Sequence, residues 1–163
     1  MKQKLIDAYM KTAETFAELS HARRLHVGAI VVKDDRIISI GYNGMPAGWD
    51  NNCENVESTF DERDTYHSVD WTYNNDDKKY YRLKTKPEVL HAETNAIAKL
   101  AKSNESGLGA TMFITHAPCM ECAKLIYQSG IGHVLYRDAY RDTSGITFLE
   151  KSGIEVTQVK KDS

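Results

Sequence analysis

His91-Ala92-Glu93 and, about 28 residues further on, Pro118-Cys119-Met120-Glu121-Cys122 carry the residue types in this chain that do chemistry. One imidazole and two thiols, the thiols three positions apart, make a three-ligand set for zinc. A structural zinc normally closes with a fourth protein ligand, whereas a catalytic one leaves that corner to water. Glu93 stands two residues after the histidine, close enough to handle the water's protons without joining the ligands. Either half alone is weak. Together, in this order and at this spacing, they point to one zinc with an open corner.

Both clusters are read as opening helices. Helix N-termini present unpaired amides and a partial positive charge, which favours thiolate over thiol at Cys119 and Cys122. Zinc lowers the pKa of a bound water to about 7, and the resulting nucleophile suits an amidine-like carbon such as C4 of cytosine. Ring N3 must then gain a proton, and the exocyclic amine must leave with one. A single carboxylate beside the metal serves both transfers, and Glu93 is placed for that. Pro118 lacks an amide hydrogen and fixes the chain just before the ligands.

The elements that must hold these groups follow from periodicity. Residues 3–20 place Leu5, Ile6, Tyr9, Met10, Ala13, Phe16 and Ala17 at helical spacing, one apolar face. Residues 27–33 form an apolar, β-branched run typical of a buried strand. After the Asp34-Asp35 turn, residues 36–42 read as the second strand of a hairpin. The glycines and proline of Asn43-Gly44-Met45-Pro46-Ala47-Gly48 end that strand and let backbone approach a ligand. Residues 91–103 form a helix with Ala92, Ala96, Ile97, Leu100 and Ala101 inward, and residues 110–115 a strand. A helix from Cys119 to about Ser129 stops at Gly130, with Cys122, Ala123, Ile126 and Tyr127 on its inner face. A strand at 133–136, a short helix at 144–152 and a strand at 154–159 complete the chain. The expected fold is α/β, a three-layer α/β/α sandwich around a five-stranded mixed sheet. Residues 50–88 are polar and aromatic without a clean period, and are expected as a partly helical insertion with a functional or interface role.

Composition narrows the function classes. A chain of 163 residues suggests one domain, residues 1–163. With 21 basic and 23 acidic residues it lacks the basic excess of a polynucleotide binder, though one or two arginines suffice for a small anion. Two of the three cysteines are claimed by the metal, so a disulfide framework is not expected and a reducing compartment fits. The segment MKQKLIDAYMK has no apolar core or small-residue cleavage site, and no run reaches membrane-spanning length. The expected location is cytoplasmic, with no membrane partner.

Four segments carry a more specific resemblance: Val27-Gly28-Ala29, the run Gly41-Tyr42-Asn43-Gly44-Met45-Pro46-Ala47-Gly48, His91 through Ile97, and Cys122-Ala123-Lys124. With the zinc motif, whose H-x-E…P-C-x-x-C form marks zinc deaminases, the chain resembles the deoxycytidylate (dCMP) deaminases of the cytidine deaminase superfamily. The resemblance spans roughly residues 1–49 and 89–159, and the GYNGMPAG run separates nucleotide-level deaminases from nucleoside and tRNA-adenosine deaminases. It implies hydrolysis of dCMP to dUMP and ammonia, feeding thymidylate synthesis. Zinc is then held by His91, Cys119 and Cys122, with Glu93 as proton shuttle. Asn43 contacts sugar and base, Arg24 the phosphate, the backbone near His116 and Ala117 the base, and Tyr140 closes the pocket. The resemblance also implies a homo-oligomer, typically a hexamer, activated by dCTP and inhibited by dTTP with Mg²⁺. The effector site would lie near Tyr42, Asn43, Gly44, Met45 and Lys102.

Two departures stand out. Some relatives hold a second, structural zinc with a cysteine where this chain has Ala22; Cys53 and His67 remain, an incomplete set. Residues 50–88 also differ in composition from the family pattern. Bland readings stand beside the sharp ones: His21, His26, His67 and His133 as solvated or helix-end histidines, Cys53 as a free thiol, Arg24 as a surface arginine, Tyr140 as core. Competing functions are a related deaminase acting on dCTP, a nucleoside or a base in tRNA or single-stranded DNA, and a non-catalytic nucleotide-sensing protein of the same fold.

Overall fold

A computed structural model describes residues 1–65 and 70–161 of the chain. The elements run α1 (Gln3–Ala17), β1 (Gly28–Lys33), β2 (Arg36–Tyr42), β3 (Glu54–Thr59), α2 (Glu62–Thr65), β4 (Thr72–Asn74), β5 (Lys79–Thr85), α3 (Ala92–Ala101), β6 (Thr111–His116), α4 (Met120–Gln128), β7 (His133–Asp138), α5 (Ser144–Lys151) and β8 (Glu155–Gln158). Among the described residues no helix is long and apolar enough to cross a membrane.

The central sheet has the order β2-β1-β6-β7-β8. β1 is antiparallel to both β2 and β6, while β6, β7 and β8 are mutually parallel, so the sheet is mixed as expected. The β1–β2 hairpin turns at Asp34 and Asp35, both at positive φ (51° and 56°), as a two-residue turn matched to strand twist requires. Strand β1 is buried on both faces, which is why it reads as a continuous apolar run. Ile30 and Val32, with Phe113 and Leu135, pack under Met10 and Ala13 of α1. Ala29 and Val31, with Met112, Ile114 and Val134, pack against Ala92, Ala96 and Leu100 of α3, Ala123 and Ile126 of α4, and Leu149 of α5. One helix on one face and three on the other give the three layers.

Three expectations change. Residues 50–88 add an unexpected sheet beside the expected helix: β3, β5 and β4 form a second antiparallel sheet in that order, and the only helix there among the described residues is the short α2. Neither face of β5 is fully buried, so no alternation of apolar and polar residues develops for a period-2 reading to find. Tyr127 is about half exposed and meets Phe148 edge-on instead of lining the inner face of α4. Ala101 is exposed at the last turn of α3.

The second sheet is joined to the first through a buried carboxylate. Glu54, at the start of β3, is 1% exposed and accepts the backbone N–H of Arg23 at 2.8 Å and of Arg24 at 3.0 Å. Beside it Cys53, Ala22 and Val89 form a small apolar cluster with Met45 against it. Ala22 thus packs against Cys53, and the only His/Cys/Asp/Glu group spaced for a metal among the described residues lies elsewhere. His67 falls outside the described residues.

Candidate active site

The catalytic motifs meet at the carboxyl ends of the parallel strands β6 and β7, where open α/β sheets present ligand sites. His91 is the N-cap of α3 and Cys119 the N-cap of α4. The Cys119 sulfur accepts the backbone N–H of Cys122 at 3.5 Å. Two close approaches seat these helix ends. A Cβ on Gly41 of β2 would lie 2.1 Å from the Ala92 carbonyl oxygen, and one on Gly145 of α5 would lie 2.1 Å from the Pro118 carbonyl oxygen. Only glycine lets α3 lie so low on β2, and only glycine lets α5 brace the Pro118–Cys119 turn.

His91 Nδ1 lies 3.7 Å from Cys119 Sγ and 3.3 Å from Cys122 Sγ, and all three donor atoms fall within 4.8 Å of one another. Two zinc–ligand bonds of ordinary length meeting at a tetrahedral angle put nitrogen and sulfur about 3.6 Å apart. The donor set therefore fits zinc in both chemistry and spacing. Cys119 is pulled down to about 4, first by the Cys122 thiol donating to it and then by His91. Cys122 is pushed up, first by that same hydrogen bond and then by burial. The hydrogen bond to Cys119 also pushes His91 up.

Glu93, in the first turn of α3, is 4% exposed and its carboxyl hydrogen-bonds the Cys122 side chain. Burial holds it above the ordinary carboxyl range. It lines a pocket together with His91, Cys119, Arg24, Asn43, His116, Ala117 and Tyr140. The structure thus gathers all the residues assigned to metal, proton transfer and substrate around one cavity, except that Cys122 sits behind its wall.

The pocket walls are fixed by backbone bonds. Asn43 Nδ2 donates to the Leu25 carbonyl and Oδ1 accepts the Val27 N–H, each at 2.8 Å. Ala117 donates its N–H to the Asp138 carbonyl at 2.9 Å, tying the loop after β6 to the end of β7. The buried Thr115 hydroxyl accepts the Gly28 N–H at 3.1 Å and pairs with His116 Nδ1 at 2.9 Å. The other ring nitrogen, Nε2, faces Asp138 Oδ2 at 3.6 Å. Burial depresses His116 below the usual histidine range, so the ring is neutral in the pocket at neutral pH.

The residues expected to meet an effector do not all converge. Tyr42, Asn43, Gly44 and Met45 follow the end of β2 beside the N-terminus of α3; Asn95 donates to the Tyr42 carbonyl at 2.8 Å, and Gly44 bridges to Leu90. Lys102 is the C-cap of the same helix, about 15 Å away along its axis. Sequence reasoning missed Glu54 and Gly145. Each acts on a segment far along the chain, and neither has a local sequence signal.

A mixed sheet with this layering and a His/Cys/Cys site beside a buried glutamate define a zinc-binding deaminase domain. Over residues 3–137 the chain matches the cytidine and deoxycytidylate deaminase zinc-binding region, and it belongs to that family. It is 35% identical over 153 residues to the deoxycytidylate deaminase of Enterobacteria phage T4, covering 83% of this chain and 79% of that protein. Against the deoxycytidylate deaminase of Homo sapiens it is 35% identical over 141 residues, 85% of this chain and 68% of that protein. A crystal structure of dCMP deaminase from the cyanophage S-TIM5, in complex with dCMP and dUMP, superposes with a TM-score of 0.78 at 41% identity, covering 98% of this chain and 99% of that one.

Proposed function

We propose that this chain hydrolyses dCMP to dUMP and ammonia, with zinc held by His91, Cys119 and Cys122. The observation that carries the reading is Glu93, a buried carboxyl beside a three-donor metal set, in a pocket that also presents Arg24. Bound zinc supplies an acidified water at neutral pH. The C4–N4 bond breaks and a C4–O bond forms; one of the water's hydrogens ends on N3 and the other on the departing ammonia. Glu93 carries both. Its raised pKa brings it toward the operating pH, where a group that must give and take a proton works best. Neutral His116 and the pinned Ala117 loop meet the base, Asn43 the sugar and base, and Arg24 the phosphate, while Tyr140 closes the mouth.

The reading further includes a cytoplasmic homo-oligomer, probed first as a hexamer, with dCTP activating and dTTP·Mg²⁺ inhibiting through the Tyr42–Met45 surface. Support for the oligomer and the effectors is the family resemblance, and for the location the cysteine usage. Sedimentation of the purified chain and rates with each triphosphate test them. The substrate itself is tested by ammonia release from dCMP, dCTP, deoxycytidine and a cytosine oligonucleotide. Highest kcat/KM on dCMP supports the reading; preference for any of the others overturns it.

A further inference from the structure

Beside the pocket, in a neighbouring groove that shares Arg24 with it and that Asp70 lines, one carboxylate oxygen already lies between two guanidinium groups. Asp70 Oδ2 is 3.1 Å from Arg24 Nη2 and 3.3 Å from Arg141 Nη2. The three residues come from separate parts of the chain: the segment before β1, the segment before β4, and the loop between β7 and α5. Arg24 lines the pocket, and so does Tyr140, the residue before Arg141. The backbone of Arg24 is held by buried Glu54, whereas the Arg141 side chain is 64% exposed. One arginine is anchored at its root and the other is free to follow an anion.

Surface ion pairs contribute little to stability, so stability alone gives little reason for two arginines to converge on a single carboxylate oxygen. A phosphate monoester, with three acceptor oxygens and more charge, satisfies two planar guanidinium groups better than one carboxylate does. We propose that Arg24 and Arg141 together form the phosphate subsite and that Asp70 occupies it as a built-in competitor, which the substrate's phosphate displaces. A substrate without a phosphate leaves Asp70 in place, so the same contact favours nucleotide over nucleoside. The identity of the substrate rests on the dCMP reading; the anion site itself does not.

The test is calorimetric titration of the zinc-loaded full chain with inorganic phosphate, followed by dCMP kinetics. Asp70→Asn should bind phosphate about fivefold more tightly, Arg141→Gln about tenfold more weakly, and Arg141→Lys in between, the scale of one charged hydrogen bond at a partly exposed site. The KM for dCMP should follow the same order, with kcat changing less. Weaker phosphate binding by Asp70→Asn would overturn the proposal, making Asp70 an organiser of the arginines. Unaltered phosphate binding by Arg141→Gln would remove Arg141 from the subsite. If phosphate affinities follow the expected order while dCMP is not turned over, the subsite stands and the substrate reading fails. Unchanged melting temperatures separate these effects from misfolding.

Discussion

The side-chain oxygen of Asn43 accepts the backbone N–H of Val27 at 2.8 Å, while its amide group donates to Leu25 at the same distance. One side chain at the end of β2 thereby fixes the strand that leads out of the Arg24 segment. Asn43→Ala strands a donor and an acceptor in a part-buried place, at a cost of about 1–3 kcal/mol. We expect a lower melting temperature together with a higher KM for dCMP. A variant with unchanged melting and raised KM would mean that Asn43 acts on substrate alone.

Gly41 and Gly145 predict a different phenotype. A Cβ at either position meets a backbone oxygen that cannot rotate away, 2.1 Å off in both cases. Overpacking of this kind costs about 1–3 kcal/mol, and here it also shifts the turns that carry the ligands. Gly41→Ala should move His91, and Gly145→Ala should move Cys119, so both should lose zinc affinity in a competition assay against a chromophoric chelator. Wild-type zinc affinity in either variant would contradict the argument.

Glu54 lines the pocket and holds Arg24 there by its backbone N–H. Removing its carboxylate in Glu54→Ala leaves the amides of Arg23 and Arg24 without their acceptor, each worth about 1–3 kcal/mol if buried. The expected result is a destabilised chain whose KM for dCMP rises more than its kcat falls. Equal loss in both parameters would indicate a general collapse of the site.

Acid should destabilise the fold through two histidines. Burial holds His116 and His133 below the ordinary histidine value. As pH falls, the unfolded chain takes up these protons near pH 6.5, before the folded chain does. In that window the unfolded state binds more protons, so stability drops with pH; above it the full stability is present. His133 bonds Thr157 at 2.9 Å, away from the pocket. His133→Gln should show a shallower fall in melting temperature from pH 7 to pH 5 than the unaltered chain. An identical or steeper fall would contradict the assignment.

Much of this architecture was readable from residue order. The β1 run, the Asp34-Asp35 turn and the periodic helices each carry a local signal, because burial on one or both faces dictates residue type within a few positions. The metal set was legible because ligand chemistry restricts it to histidine and cysteine at short spacing. The second sheet was not, since β3, β4 and β5 lack a buried face to impose alternation. Glu54 and Gly145 were equally silent: what each does is set by a partner about 30 residues away in sequence, the Arg23 amide at 31 and the Arg24 amide at 30 for Glu54 and the Pro118 carbonyl for Gly145. Tyr127 followed the helical period yet faces outward, because α5 covers only part of that side of α4.

The central claim is that Glu93 moves protons beside a zinc it does not bind. The decisive measurement is zinc content and dCMP turnover in Glu93→Gln, which keeps the shape of the side chain but cannot ionise. Full zinc occupancy with turnover down by at least about 10²-fold is the expected result. Turnover near that of the unaltered chain, or loss of the metal along with the activity, would contradict it.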